Sequence, residues 1–213
     1  MRARGKERRT DLNPPPIHRE PVLLVVSGPS GSGKDSLVDG LRQLEPELSY
    51  SVSSTTRPPR PGEIDGVHYR FLDRARFERL HAADAFLETR EYAGNLYGTP
   101  RAFIVDELAR GRDLVMKPEV NGAMAIRLAF PHAVLVFLIA PSPDVLRERL
   151  ERRSTETAET IAQRIAIAKN EADAIGHYDY LIVNDDFDTA LAQLRAILVA
   201  ERLKVARVRH REP

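Results

Sequence analysis

The residues Gly28-Pro29-Ser30-Gly31-Ser32-Gly33-Lys34 constrain this chain more than any others. Their G-x4-G-K spacing is that of a phosphate-binding P-loop. Glycines let successive backbone N–H groups turn inward around phosphate oxygens. The lysine reaches the outer phosphates, and the N-terminus of a following helix adds its dipole. Such a loop needs a strand before it and a helix after it, and both are legible here. Residues 22–26 form a continuous apolar run, which predicts a buried strand. Residues 34–44 place Leu37, Leu41 and Leu44 at helical spacing. One position departs from the pattern. The hydroxyl residue that usually follows the lysine, and that ligates Mg²⁺, is replaced by Asp35, with Ser36 next in line.

The alternation continues along the chain. Helices are predicted over 101–110, 122–129, 142–150, 157–175 and 187–205, and strands over 113–116, 133–140 and 180–183. Ser142 followed by Pro143 marks a helix start. Apolar strands alternating with helices predict a three-layer α/β/α fold around a parallel central sheet. Residues 49–97 break the rhythm with alternating and turn-rich sequence. They predict an inserted small β-rich lobe with one helix near 74–81. The flanks read as tails. Residues 1–20 are basic and carry Asn13-Pro14-Pro15-Pro16, and residues 206–213 are basic again, which leaves 21–205 as the domain.

Charge and composition exclude several classes. Thirty-two Lys+Arg stand against 31 Asp+Glu, so the whole-chain balance points to no specific nucleic-acid partner and no membrane surface. There is no cysteine, which removes disulfides and thiolate metal sites. The apolar runs 22–26 and 133–140 are far too short to span a bilayer, and no apolar segment follows the basic N-terminus. The expectation is a cytoplasmic protein, monomeric or homodimeric.

Further motifs carry a family resemblance. Ser51-Val52-Ser53-Ser54-Thr55-Thr56-Arg57 is followed by Arg60-Pro61-Gly62-Glu63, Asp65-Gly66, Tyr69 and Gly94-Asn95-Leu96-Tyr97-Gly98-Thr99. Val183-Asn184-Asp185-Asp186 stands near the end. In this order, and together with the P-loop, they resemble the guanylate kinases over residues 22–202. The resemblance implies phosphoryl transfer from ATP, with Mg²⁺, to GMP. It places a GMP-binding lobe at about 53–99 and a short helical lid at about 150–164.

It also implies roles for individual residues. Gly28, Pro29, Ser30, Gly31, Ser32, Gly33, Lys34, Asp35, Ser36 and Asn184 would hold ATP, Asn184 on the adenine side. Arg57 and Arg60, three apart, would grip the GMP phosphate as guanidinium forks, helped by the hydroxyls of Tyr69 and Tyr97. Guanine offers N1–H and N2–H₂ as donors and O6 as an acceptor. Glu88 can accept from the two donors, and Ser53 and Thr99 can donate to O6 or N7. Adenine reverses that edge, so a carboxylate here selects guanine. Glu119 would be the acidic residue on the GMP side. Arg149, Arg153 and Arg164 resemble the lid arginines that join Lys34 and Arg57 in catalysis, while Arg152 reads as an ordinary surface arginine.

A second departure accompanies Asp35. Lys117 occupies a strand-end position where the family usually has an acid. The carboxylate that helps to hold Mg²⁺ has then moved to the loop, with Asp35 as the metal ligand and Lys117 paired with it or with phosphate. Two other functions fit parts of the sequence. Gly33-Lys34-Asp35-Ser36 is closer to ribose bisphosphate kinases, and the acceptor lobe also occurs in non-catalytic modules that bind phosphopeptides.

Overall fold

Side chains on a strand alternate between its two faces. In the run beginning at Val22 both faces are apolar, so the strand must be covered on both sides. Leu24 and Val26 meet Leu37, Val38 and Leu41 on one side, together with Ala190, Leu194 and Leu198. Leu23 and Val25 meet Ile104, Ala123 and Ile126 on the other. Each of these large side chains contributes about 1.5–3 kcal/mol on full burial. This two-sided core is the predicted three-layer architecture.

The computed structural model describes residues 17–92, 94–152 and 158–210. Its strands are β1 (Ile17–Arg19), β2 (Leu23–Ser27), β3 (Ser49–Tyr50), β4 (Ser54–Thr55), β5 (Arg70–Phe71) and β6 (Phe86–Tyr92). They continue with β7 (Asn95–Pro100), β8 (Leu114–Met116), β9 (Val134–Ile139), β10 (Tyr180–Val183) and β11 (Val208–His210). The helices are α1 (Lys34–Leu44), α2 (Arg74–Ala82), α3 (Arg101–Ala109), α4 (Val120–Ala129), α5 (Pro143–Glu151), α6 (Ala158–Ala172) and α7 (Phe187–Arg202).

Among the described residues the central sheet has the order β10-β9-β2-β8-β3, and every pairing in it is parallel. Helices α1 and α7 cover one face, α3 and α4 the other. The loops after β2, β8 and β10 leave from the carboxyl ends of the parallel strands, where ligands bind in open parallel sheets. The inserted lobe is a second sheet of order β5-β4-β7-β6. Asp73 caps α2 by accepting from the Arg76 N–H at 2.6 Å. Phe77 of that helix stacks on Phe86 at 4.6 Å between ring centres, which ties helix to sheet. No helix among the described residues is long and apolar enough to cross a membrane.

Several stretches differ from the sequence reading, and Ser49–Tyr50, read as the start of the inserted lobe, pairs with β8 in the central sheet. Ile17–Arg19 and Val208–His210 are paired antiparallel strands, with Arg19 opposite Val208, where tails were expected. A buried carboxylate fixes the first of them. Asp113 accepts both guanidinium nitrogens of Arg19 at 2.6 and 2.9 Å, Arg202 Nε at 2.7 Å and the Val22 N–H at 2.7 Å. Arg207 adds a bond to the His132 carbonyl at 2.9 Å. The expected helix over 157–175 ends at Ala172 and tightens into a 3₁₀ turn, Asp173–His177.

Candidate active site

The P-loop is held open by its own backbone and by one side chain. Gly28 has φ +143°, and a Cβ there would lie 2.1 Å from the Leu138 carbonyl oxygen, so only glycine fits. Gly33 has φ +98°, and a Cβ there would lie 2.3 Å from Asn184 Nδ2. That amide donates to the Ser32 carbonyl at 2.8 Å. Asn184 thus braces the loop from behind. Arg149 donates to the Asn184 carbonyl at 2.8 Å and so belongs to the same support. Lys34 folds back on its own loop, donating to the Gly28 carbonyl and to the Pro29 carbonyl at 3.0 Å. Burial lowers its pKa, against the pull of Glu119 and Asp35.

A cleft of about 720 Å³ opens between this loop and the inserted lobe. Ser30, Gly31, Gly33, Lys34 and Asp35 line one end, with Arg164 above them donating to Ser30 Oγ at 3.2 Å. Ser53, Arg57, Arg60, Tyr69, Glu88 and Tyr97 line the other end, and Glu119 and Lys117 the floor. Residues separated by more than a hundred positions are therefore brought to one cavity. Gly28, Pro29, Ser32, Ser36, Thr99, Arg149 and Asn184 are not part of its wall. Arg153 and the middle of the expected lid lie outside the described residues. Arg152 is exposed and paired with Glu148 one turn back at 2.5 Å, in keeping with its reading as a surface residue.

At the lobe end, Thr99 is buried and donates its hydroxyl to Glu88 Oε1 at 2.7 Å. The sequence reading has Thr99 facing the base; here it orients the carboxylate. Burial pushes the Glu88 carboxyl up, which Thr99 partly offsets. Arg57 is clamped by its neighbours. It donates to both oxygens of Glu63 at 3.0 and 2.8 Å and to the Pro58 carbonyl at 2.7 Å, and lies 5.5 Å over the Tyr69 ring. Glu63 also accepts from the Arg60 N–H at 2.6 Å. Burial alone would raise the Glu63 pKa, but Arg57 and that N–H outweigh it and hold the carboxyl low.

Other charged residues of the cleft have no role in the sequence reading, Glu63, Arg90 and Glu171 among them. Glu63 belongs to the Arg60-Pro61-Gly62-Glu63 motif, and only the fold brings its carboxylate onto Arg57. Arg90 lies 5.0 Å over the Tyr97 ring and donates to Glu119 Oε1 at 3.1 Å. Its signal was the two-residue offset from Glu88 on one strand. Glu171, on α6, lines the cleft opposite Lys34. Burial raises its pKa and Glu119 adds to the rise. Nothing local marks it, because only the packing of α6 over the loop brings it there.

The model of the guanylate kinase family matches residues 20–201. This chain belongs to that family. A guanylate kinase of Carboxydothermus hydrogenoformans is 46% identical over 190 residues, covering 89% of this chain and 93% of the relative. One from Alkalilimnicola ehrlichii is 47% identical over 87% of this chain and 92% of the relative. The crystal structure of guanylate kinase from Anaplasma phagocytophilum superposes with a TM-score of 0.74 at 32% identity, covering 90% of this chain and 92% of that one. The guanylate kinase match runs through the P-loop, the inserted lobe and α6 alike, so both ends of the cleft fall inside it.

Proposed function

We propose that this protein is a guanylate kinase, transferring the terminal phosphoryl group of ATP directly to GMP and giving ADP and GDP. One observation carries the reading. A single cleft has the P-loop lysine, Lys34, at one end and the buried Glu88–Thr99 pair at the other.

Glu88 accepts from guanine N1–H and N2–H₂, and Ser53 supplies a hydroxyl to the base. Thr99 keeps Glu88 in the orientation this requires. Arg57, Arg60, Tyr69 and Tyr97 hold the GMP phosphate, and the Glu63 clamp fixes where Arg57 points. At the other end the P-loop N–H groups and Lys34 hold the donor phosphates. Transfer develops charge on the equatorial oxygens, and positioned cations stabilise it. Lys34 and Arg164, at the loop end of the cleft, supply such cations. Glu119 orients Arg90.

Mg²⁺ commonly binds one or two carboxylates plus substrate phosphates, and Asp35 supplies an exposed carboxylate beside Lys34, so the residues present fit the ion. When bound, Mg²⁺ neutralises phosphate charge. A pentose phosphate acceptor would leave the Glu88–Thr99 pair without a partner. A phosphopeptide module would have no use for Lys34 and Arg164 in the same cleft. The cytoplasm, as a reducing compartment suited to a chain without cysteine, completes the reading. Incubation with γ-labelled ATP and GMP tests it: label should appear in GDP, and Lys34→Met should abolish the transfer. Label released only as inorganic phosphate would refute it.

A further inference from the structure

Lys117 stands at the end of β8 and Asp35 in the first turn of α1, and the two side chains form an ion pair across the cleft floor, Nζ to Oδ1. The partners differ in setting. The Asp35 side chain is 62% exposed, the Lys117 side chain 19%. Lys117 is also braced from below, its ammonium 5.7 Å over the Tyr50 ring, and Arg42 lies over the same ring at 4.7 Å. Burial works against the Lys117 charge, but Tyr50 and Asp35 favour it, and the net shift is upward. The Lys117 ammonium sits in the wall of the cleft, paired with Asp35. It neutralises a carboxylate directly beside the P-loop lysine.

An unpaired Asp35 would repel nucleotide phosphates at that distance. A P-loop enzyme ordinarily has a neutral hydroxyl there, which carries no such penalty. We propose that Asp35 and Lys117 form an exchange pair: each neutralises the other in the empty cleft, and on nucleotide binding Asp35 turns to the nucleotide-bound cation while Lys117 donates to the phosphates. Lys117 is thereby an additional phosphate-contacting residue of the reaction, and Asp35 is the reason that it is held back. The exchange rests on the reading of the P-loop as the ATP site.

Equilibrium binding of ATP to the full chain, in EDTA and in excess Mg²⁺, tests the exchange without reference to turnover. Lys117→Met keeps the length of the stem but leaves Asp35 uncompensated. It should weaken metal-free ATP binding roughly tenfold, as expected for losing one close charge contact at a partly exposed site. It should weaken Mg²⁺-ATP binding less. Asp35→Ala should tighten metal-free binding and lose most of the enhancement by Mg²⁺. The double variant should return metal-free binding towards the wild-type value, because the two effects oppose each other. Thermal unfolding of each variant separates these effects from misfolding. Equal metal-free binding by wild type and Lys117→Met, or a full Mg²⁺ enhancement in Asp35→Ala, would overturn the exchange alone. A wild type that binds no ATP in either condition would overturn the nucleotide reading on which it rests.

Discussion

Thr99 donates its hydroxyl to Glu88 across the ladder between β7 and β6, at 2.7 Å. A single neutral donor thus fixes the direction of a carboxylate that lines the cleft. Gly122, at the start of α4, makes room for that carboxylate, since a Cβ there would come within 3.1 Å of Glu88 Cδ.

The pair predicts a graded loss of base recognition. Glu88→Gln presents one donor where guanine needs acceptors, and leaves polar groups unpaired in a closed site. GMP selectivity should fall by about 2–4 kcal/mol in kcat/KM. Thr99→Val keeps the charge but frees the carboxylate, so KM for GMP should rise by a smaller factor with kcat nearly unchanged. Steady-state kinetics with GMP and IMP read both effects. Unchanged selectivity in Glu88→Gln would remove the carboxylate from base recognition.

Asn184 predicts a structural effect where a nucleotide contact was expected from the sequence. Its amide holds the Ser32 carbonyl, and Gly33 leaves it room. Asn184→Ala should lower stability by about 1–3 kcal/mol, because a buried carbonyl loses its partner. Gly33→Ala should cost about 1–2 kcal/mol for the left-handed backbone alone, and more for the close approach. Thermal unfolding of the ligand-free protein measures both. An Asn184→Ala variant of wild-type stability that had lost only ATP affinity would restore the nucleotide role.

The Asp113 cluster predicts an acid-sensitive fold. Burial alone would raise the Asp113 pKa, but Arg19, the Val22 N–H and Arg202 outweigh it, so the folded value lies below the ordinary 3.8. A depressed carboxyl contributes stability that is complete above the unfolded pKa. That contribution disappears as pH falls from there through the folded value. Asp113→Asn removes one partner of a buried ion cluster and should cost about 3–5 kcal/mol at neutral pH. Its stability should also fall less steeply than that of the wild type below pH 3.8. Urea unfolding at neutral pH and at successive acidic pH values tests this. Parallel pH profiles for the two proteins would contradict it.

The central layer was legible because its signals are local. The apolar run of β10 was read at its true bounds, Tyr180–Val183, and α1 likewise at Lys34–Leu44. The P-loop glycines announced themselves by spacing. The strands β1 and β11 are not legible in the sequence, because each has three residues and becomes a strand only by pairing with the other across the whole domain. The clamps were hidden for a similar reason. Thr99, Asn184 and Arg149 are chemically able to touch a ligand, and sequence spacing cannot distinguish a group that faces the ligand from one that holds its neighbour. Glu171 is the opposite case, an unremarkable helical glutamate that tertiary packing turns towards Lys34.

Acceptor choice tests the central claim most directly. ADP release from Mg²⁺-ATP should be measured with GMP, IMP, AMP and ribose 1,5-bisphosphate side by side. A site that pairs with the guanine edge should favour GMP over AMP by roughly 10⁴-fold in kcat/KM, with IMP between them because it lacks one donor. Equal turnover of AMP and GMP, or preferred turnover of the pentose bisphosphate, would contradict the account.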